Sequence, residues 1–230
     1  MDLDVRNFGV VTIGGVRFWI TETLVWAWVI MAVLIIFAVI VRIKLNKFKD
    51  VPKGFQNVVE MMVETFDKFV RDSAGERLMF LGNWFFTVFL FILVSNLSGL
   101  IPGFRPPTAD WTVTFAFALA TFILIQVMGI KYRGKEYIKS FFQPFFLFFP
   151  LNLIGELARP ISLSFRLFGN ILAGTIVMTL LYSMAPVFIR FVIPAALHGY
   201  FDVFAGVLQT YIFCALSLTF VGGAAALNED

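Results

Sequence analysis

The sequence predicts an all-α polytopic membrane protein: five transmembrane crossings plus one amphipathic helix on the cytoplasmic surface, the last two long helices strongly tilted. Three observations carry that expectation. Of 230 residues, 60% are hydrophobic and thirty are Phe, with a mean hydropathy of +0.88, far outside the range of soluble globular domains. Uncharged windows recur that approach or reach the roughly 20 residues needed to cross the hydrocarbon. Clusters of Lys and Arg sit at alternate ends of those windows, as cytoplasmic loops do. A single His and a single Cys, Cys214, exclude an internal disulfide and give no metal framework, so no cofactor is expected. The net charge of +3 is small, and no nucleic-acid partner is expected. The whole chain, 1–230, reads as one integral membrane domain.

The N-terminal MDLDVRNFGV carries two Asp before its first basic residue and no apolar core, so it does not read as a secretory signal. The first span is 24–41, eighteen uncharged residues with Trp26 and Trp28 near its start. It ends in RIKLNKFKDVPK, with Arg42, Lys44, Lys47, Lys49 and Lys53. Retention of that cluster in the cytoplasm places the N-terminus outside. Residues 55–71 are amphipathic: Phe55, Val58, Val59, Met62, Phe66, Phe69 and Val70 share one helical face, and Glu60, Glu64, Asp67 and Arg71 the other. Such a helix lies along the surface. Its acidic face is either solvated or meets a protein partner.

The second span, 79–101, ends at the Pro-rich external turn PGFRPPTAD. The third, 111–130, returns to the basic KYRGKEYIK. From Phe141 to Leu227 the only Asp, Glu, Lys or Arg are Glu156, Arg159, Arg166, Arg190 and Asp202. Two long helices are expected there, 151–182 and 187–227, with a turn around 184–194 and the C-terminus in the cytoplasm. Helices of that length exceed the bilayer and must tilt or kink.

The polar residues of the last two helices carry the functional expectation. Gly155, Arg159, Ser162, Arg166, Asn170 and Ala173 step by three or four and share one side of a helix. An arginine at mid-bilayer costs about 2.5–3.5 kcal/mol on insertion scales, so this stripe must face protein or water. On the last helix His198, Asp202, Gly206 and Gln209 follow at spacings of four, four and three. Given the directions of the two helices, Asp202 is reached from outside and Glu156 from inside, with Arg166 between them. That is the layout of two offset half-channels separated by a fixed positive charge. Plainer readings exist for the other residues: Arg159 with Glu156 as an interfacial ion pair, Asp202 as a staple to Arg166, His198 as a solvated side chain, and Gln126, Ser95 and Asn96 as interhelical hydrogen bonds.

These residues resemble a known family. SLSFRLFGNILAG is similar to the signature of subunit a of the F-type ATP synthase, the stator channel of its membrane sector. NLSGLIPGFRPPTADWTVT resembles that family's second-to-third helix connection, FPLNLIGELARPISLSFRLFGN its arginine helix, and GVLQTYIF its last-helix glutamine. The resemblance covers about residues 20–225. It implies that Arg166 is the stator arginine facing the carboxylates of the rotor ring (the c-ring of small hairpin subunits), that Asn170 lines that interface, and that Gln209 lies beside Arg166, within roughly one helix diameter of 10 Å. Asp202 falls on the path of ions from outside. The family implies a peripheral-stalk subunit b as a further partner, a bacterial-type plasma membrane as the location, and a proton or sodium ion as cargo. Departures occur at Thr175, where the family often has an acid, at Thr112, which replaces a common Asn, and at Gly155, which leaves Glu156 the sole carboxylate there.

The chemistry needs an arginine. An opposite charge within about 4–6 Å lowers a carboxylate pKa by one to three units, so Arg166 would drive the ion from each arriving rotor site. A desolvated lysine can lose its proton and a guanidinium cannot. Each charge crossing the membrane supplies only about 2.3 kcal/mol per 100 mV, so several must cross for each ATP. No GxxxxGK[ST] phosphate loop occurs, and the chain is expected to be a non-catalytic part of a larger complex. The rival reading is a secondary transporter with a midplane Arg/Asp site, but no internal repeat is visible.

Overall fold

A computed structural model of the chain describes residues 7–13, 16–101, 104–184, 194 and 196–226. It opens with a feature the expected all-α architecture lacked, an antiparallel hairpin of β1 (Asn7–Ile13) and β2 (Val16–Thr21). Both strands are rich in β-branched and aromatic residues, which suit a pleated ribbon. The chain enters α1 (Glu22–Leu45) through Thr21, whose hydroxyl accepts from the Leu24 amide at 3.4 Å, a side-chain N-cap.

Among the described residues, five further long helices follow. α2 (Phe55–Ala74) leads through a 3-10 stretch (Glu76–Leu81) into α3 (Gly82–Leu97). α4 (Trp111–Arg133) is capped by Asp110, which accepts from the Thr112 amide at 2.9 Å. The short α5 (Lys135–Ser140) turns back at Gly134, whose φ of +57° favours glycine. α6 runs unbroken from Phe149 to Met184 through Pro160, which removes the backbone bond to the Glu156 carbonyl. A π-helical turn (Gly199–Ala205) leads into α7 (Gly206–Ala225). The expected turn at 184–194 and the first residues of the expected last helix, with Arg190, fall almost wholly outside the described residues.

Among the described residues, five segments are long and apolar enough to cross a membrane: Glu22–Leu45, Glu76–Leu100, Trp111–Arg133, Phe146–Met184 and Ala196–Ala225. The chain is therefore a multi-pass membrane protein. Thr23 donates to the Asp110 carboxylate at 2.9 Å, so α1 and α4 start at the same end. The end of α3 and the start of α7 meet there too, where Asn96 reaches the Gly206 carbonyl. Successive crossings thus alternate in direction.

α7 is the hub. It packs against α2, α3, α4 and α6, and Phe213, Cys214, Leu218 and Val221 on it are fully buried. Gly222 makes one of these contacts possible, since a Cβ there would lie 2.9 Å from the Ala74 Cα at the end of α2. α2 accordingly lies against the bundle through Phe66 and Val70, which are buried, while Glu64, Asp67 and Arg71 point to solvent. Its apolar face thus packs in part on this chain itself, while Phe55 and Val58 of that face stay exposed. α1 stands apart, touching chiefly α3 and the loop before α4.

Candidate ion path

The polar residues of the two long helices gather at three levels. At the end where α3 meets α7, Asn96 is fully buried and every polar atom of its side chain is used. Its amide donates to the Gly206 carbonyl at 2.9 Å and to the Thr210 hydroxyl at 3.1 Å, and its carbonyl accepts from Thr108 at 2.8 Å. Gly206 permits that approach, because a Cβ there would lie 3.1 Å from the Asn96 Cβ. The interhelical reading of Asn96 holds. Ser95 is equally buried but its hydroxyl has no partner among the described residues.

Half-buried Asp202 sits one turn before Gly206, beside the loop at Gly99 and Pro106: a Cβ on Gly99 would lie 3.4 Å from its Oδ1. Its Oδ2 is 2.5 Å from Nδ1 of His198. That contact counts against two of the plainer readings. Asp202 is not stapled to Arg166, and His198 is not simply a solvated side chain. The two form one pair, carried by the π-helical turn.

At the opposite end, Glu156 and Arg159 form an ion pair at 2.6 Å. Glu156 also lies 3.4 Å from the Gln126 amide on α4, and the Gln126 carbonyl accepts from the Tyr137 hydroxyl at 3.1 Å. The Arg159 guanidinium lies 5.1 Å from the ring centre of Phe220 on α7. The ion-pair reading of Arg159 and the interhelical reading of Gln126 both hold. Tyr137 is the member that the sequence reading missed. It fits because Gly129 leaves room for its ring, and no local periodicity marks that long-range fit. Burial, and next the negative charge of Glu156, push its phenol above the ordinary value, while Arg159, Arg133 and the bond to Gln126 oppose that rise. It stays a neutral donor.

Between these clusters is Arg166, eighteenth of the 36 residues of α6. The helix buries Leu163, Leu167, Ile171 and Gly174 against its neighbours, which turns Ser162, Arg166 and Ala173 outward, where all three are exposed. Arg166 makes no hydrogen bond or ion pair with any described residue. Asn170 and Gln209 each have a buried amide nitrogen with no partner among the described residues; Arg166 and Gln209 are not bonded to each other. Thr175 spends its hydroxyl on the Ile171 carbonyl at 2.9 Å.

Five membrane-spanning segments, with partnered polar clusters at opposite ends and between them a guanidinium without a partner among the described residues, make a multi-pass membrane protein that carries charge inside its spans. Residues 24–222 match the family described as ATP synthase A chain. The chain belongs to that family. It is 39% identical over 203 residues to ATP synthase subunit a of Moorella thermoacetica, covering 88% of this chain and 89% of that one. It is 37% identical over 209 residues to the same subunit of Desulfosudis oleivorans (87% and 86%). To ATP synthase subunit a 2 of a Picosynechococcus species it is 36% identical over 215 residues (91% and 88%).

Proposed function

We propose that this chain is the ion-translocating stator subunit of an F-type ATP synthase, loading and unloading ions on the carboxylates of a rotor ring. The observation that carries the reading is Arg166: a permanent charge at the middle of a membrane-spanning helix, turned away from its own bundle and without a hydrogen-bond or ion-pair partner among the described residues. Lipid is a costly neighbour for such a group. A carboxylate on a second, moving chain is a favourable one.

In this reading the His198–Asp202 pair receives ions on the outer side, where the loop at Gly99 and Pro106 borders it. Glu156, Arg159, Gln126 and Tyr137 form the inner, cytoplasmic outlet. Arg166 releases the ion from each rotor carboxylate by stabilising the ionised form and blocks direct flow between the two sides. Asn170 and Gln209 supply amide groups beside that interface, Gln209 close to Arg166, and Ser162 lies one turn away on the rotor-facing stripe. The N-terminus is outside and the membrane is the plasma membrane. Partners are the rotor ring and a peripheral-stalk subunit b, and the catalytic phosphoryl chemistry belongs to other chains. A transporter site would require Asp202 and Arg166 to converge on one substrate, and Asp202 is engaged by His198 instead.

The test is ATP-driven ion pumping in vesicles carrying the intact complex, wild type against Arg166→Ala, with assembly checked by co-purification and passive leak measured alongside. Lost pumping with normal assembly is expected, with an added leak if the arginine also seals the two sides. Normal pumping would make the arginine structural and overturn the proposal.

A further inference from the structure

We propose that Tyr137, on the short α5 between two membrane-spanning segments, is a positioning residue for the ion path: acting through Gln126, it fixes the side chain of Glu156. The inference rests on the reading of Glu156 as part of the inner outlet and adds to it the group that holds the carboxylate in place.

The phenol is held on three sides. Gly134 has a φ of +57°, so the chain reverses directly after α4 and α5 packs back on the helix it has just left. Tyr137 is 5% exposed, and a Cβ on Gly129 would lie 2.5 Å from its ring. The ring therefore lies on the α4 backbone itself, with Phe141 edge-on to it at 5.3 Å between centres. The segment that follows is fastened to α6: Asn152, one turn before Glu156, donates to the carbonyls of Phe141 at 2.9 Å and Gln143 at 3.0 Å. α4, α5 and the start of α6 thus make one frame around the hydroxyl.

The bonds leading from that hydroxyl have a single polarity. An ionised carboxylate only accepts, so Gln126 turns its amide nitrogen toward Glu156 Oε2, 3.4 Å away. Its carbonyl is then left facing Tyr137, whose hydroxyl donates to it at 3.1 Å. Without that donor the amide can turn over and set its carbonyl against the carboxylate, and Glu156 is left to Arg159 alone. Arg159 is a poor anchor, since its side chain is 37% exposed and free to swing with its partner. Tyr137 is the immobile end of the chain. A carboxylate that must meet one passing site after another gains from being held in a single place, because transfer then needs no search for geometry.

The test is ATP-driven pumping by the intact complex in inverted membrane vesicles, whose cytoplasmic side faces the medium. Pumping runs the outlet in reverse, so the ion concentration in the medium at half-maximal rate reads how Glu156 takes up its ion. It is measured against pH at fixed sodium and against sodium at fixed pH, per complex assembled by co-purification. Tyr137→Phe keeps the ring on Gly129 and removes only the hydroxyl. It should shift that concentration about two- to tenfold, the worth of one hydrogen bond. Gln126→Leu should give a similar shift, and Tyr137→Phe added to Gln126→Leu or to Glu156→Gln should shift nothing further. A lower maximal rate with the half-maximal concentration unmoved would make Tyr137 a packing residue and overturn the proposal. A Tyr137→Phe shift that persists in the Glu156→Gln background overturns it equally, because the phenol would then not act through the carboxylate. Wild-type concentration dependence in Glu156→Gln is a separate failure: it takes Glu156 out of the path, and the outlet reading falls together with this inference.

Discussion

Arg159 and Arg166 are the same residue two turns apart on one helix, and their surroundings could hardly differ more. Arg159 has a carboxylate at 2.6 Å and an aromatic ring 5.1 Å away, and that carboxylate is itself joined through Gln126 to Tyr137. Arg166 has none of these among the described residues and is exposed. The same contrast divides the amides. Asn96 has three partners from two other elements, whereas the nitrogens of Asn170 and Gln209 have none among the described residues. Groups that the chain satisfies by itself hold the bundle together. In the proposed reading, the groups left without a partner among the described residues beside Arg166 find theirs on another chain or in moving ions.

The sharpest way to break that comparison is to remove each arginine in turn. Arg166→Ala should reduce coupled pumping to background with the complex intact, while Arg159→Ala should leave most of it; equal loss in both would erase the distinction. Lys at 166 should rescue poorly, because an ammonium can shed its charge when desolvated.

Next in size is the outer pair. Asp202→Asn should slow ATP-driven transport several-fold by impairing ion passage on the outer side, with normal co-purification of the subunits. An unassembled complex would instead make the His198–Asp202 contact a structural clamp.

The amide comparison gives a smaller, orthogonal effect. Asn96→Ala should destabilise the subunit by about 1–3 kcal/mol, since it strands the buried Thr108 hydroxyl, and should show as a lower unfolding midpoint of the complex. Asn170→Ala should leave that midpoint unchanged and lower the transport rate. If both variants act on stability alone, the unpartnered amides are not part of the path.

Much of this was legible in the chain because lipid makes polarity expensive. The apolar windows marked the crossings, and Arg166 stood out as a charge with no acid within nine positions. Gln126 and Asn96 could be read as interhelical bonds since a polar group in a span must find a partner. The hairpin was missed although β-branched runs on both sides of Gly14-Gly15 are a recognised signal. The π-helical turn had no such signal, because apolar periodicity is the same on all sides of a helix that is apolar all round. Tyr137 and Thr108 joined the polar clusters through tertiary contacts that no local pattern encodes. What covers α2 was likewise hidden, since its amphipathic pattern says that one face is buried and not that Gly222 of α7 lies against it.

The smallest effect is the most discriminating for the inner cluster. Glu156 and Arg159 are close, but the arginine side chain is 37% exposed and the carboxylate 15%, so water screens much of their attraction. A partly exposed pair of this kind is worth about 0.5–1 kcal/mol. A double-mutant cycle with Glu156→Gln, Arg159→Gln and the double variant should therefore yield a coupling of that size in the unfolding midpoint of the complex, converted to free energy. Pumping should separate the two residues. Glu156 is the only carboxylate at that end of α6, so Glu156→Gln should slow ion release at the inner outlet more than Arg159→Gln does. If the two substitutions depress pumping equally and track the stability loss, Glu156 serves the fold alone, and the inner outlet must run past some other group, with Tyr137 and Gln126 the nearest remaining candidates.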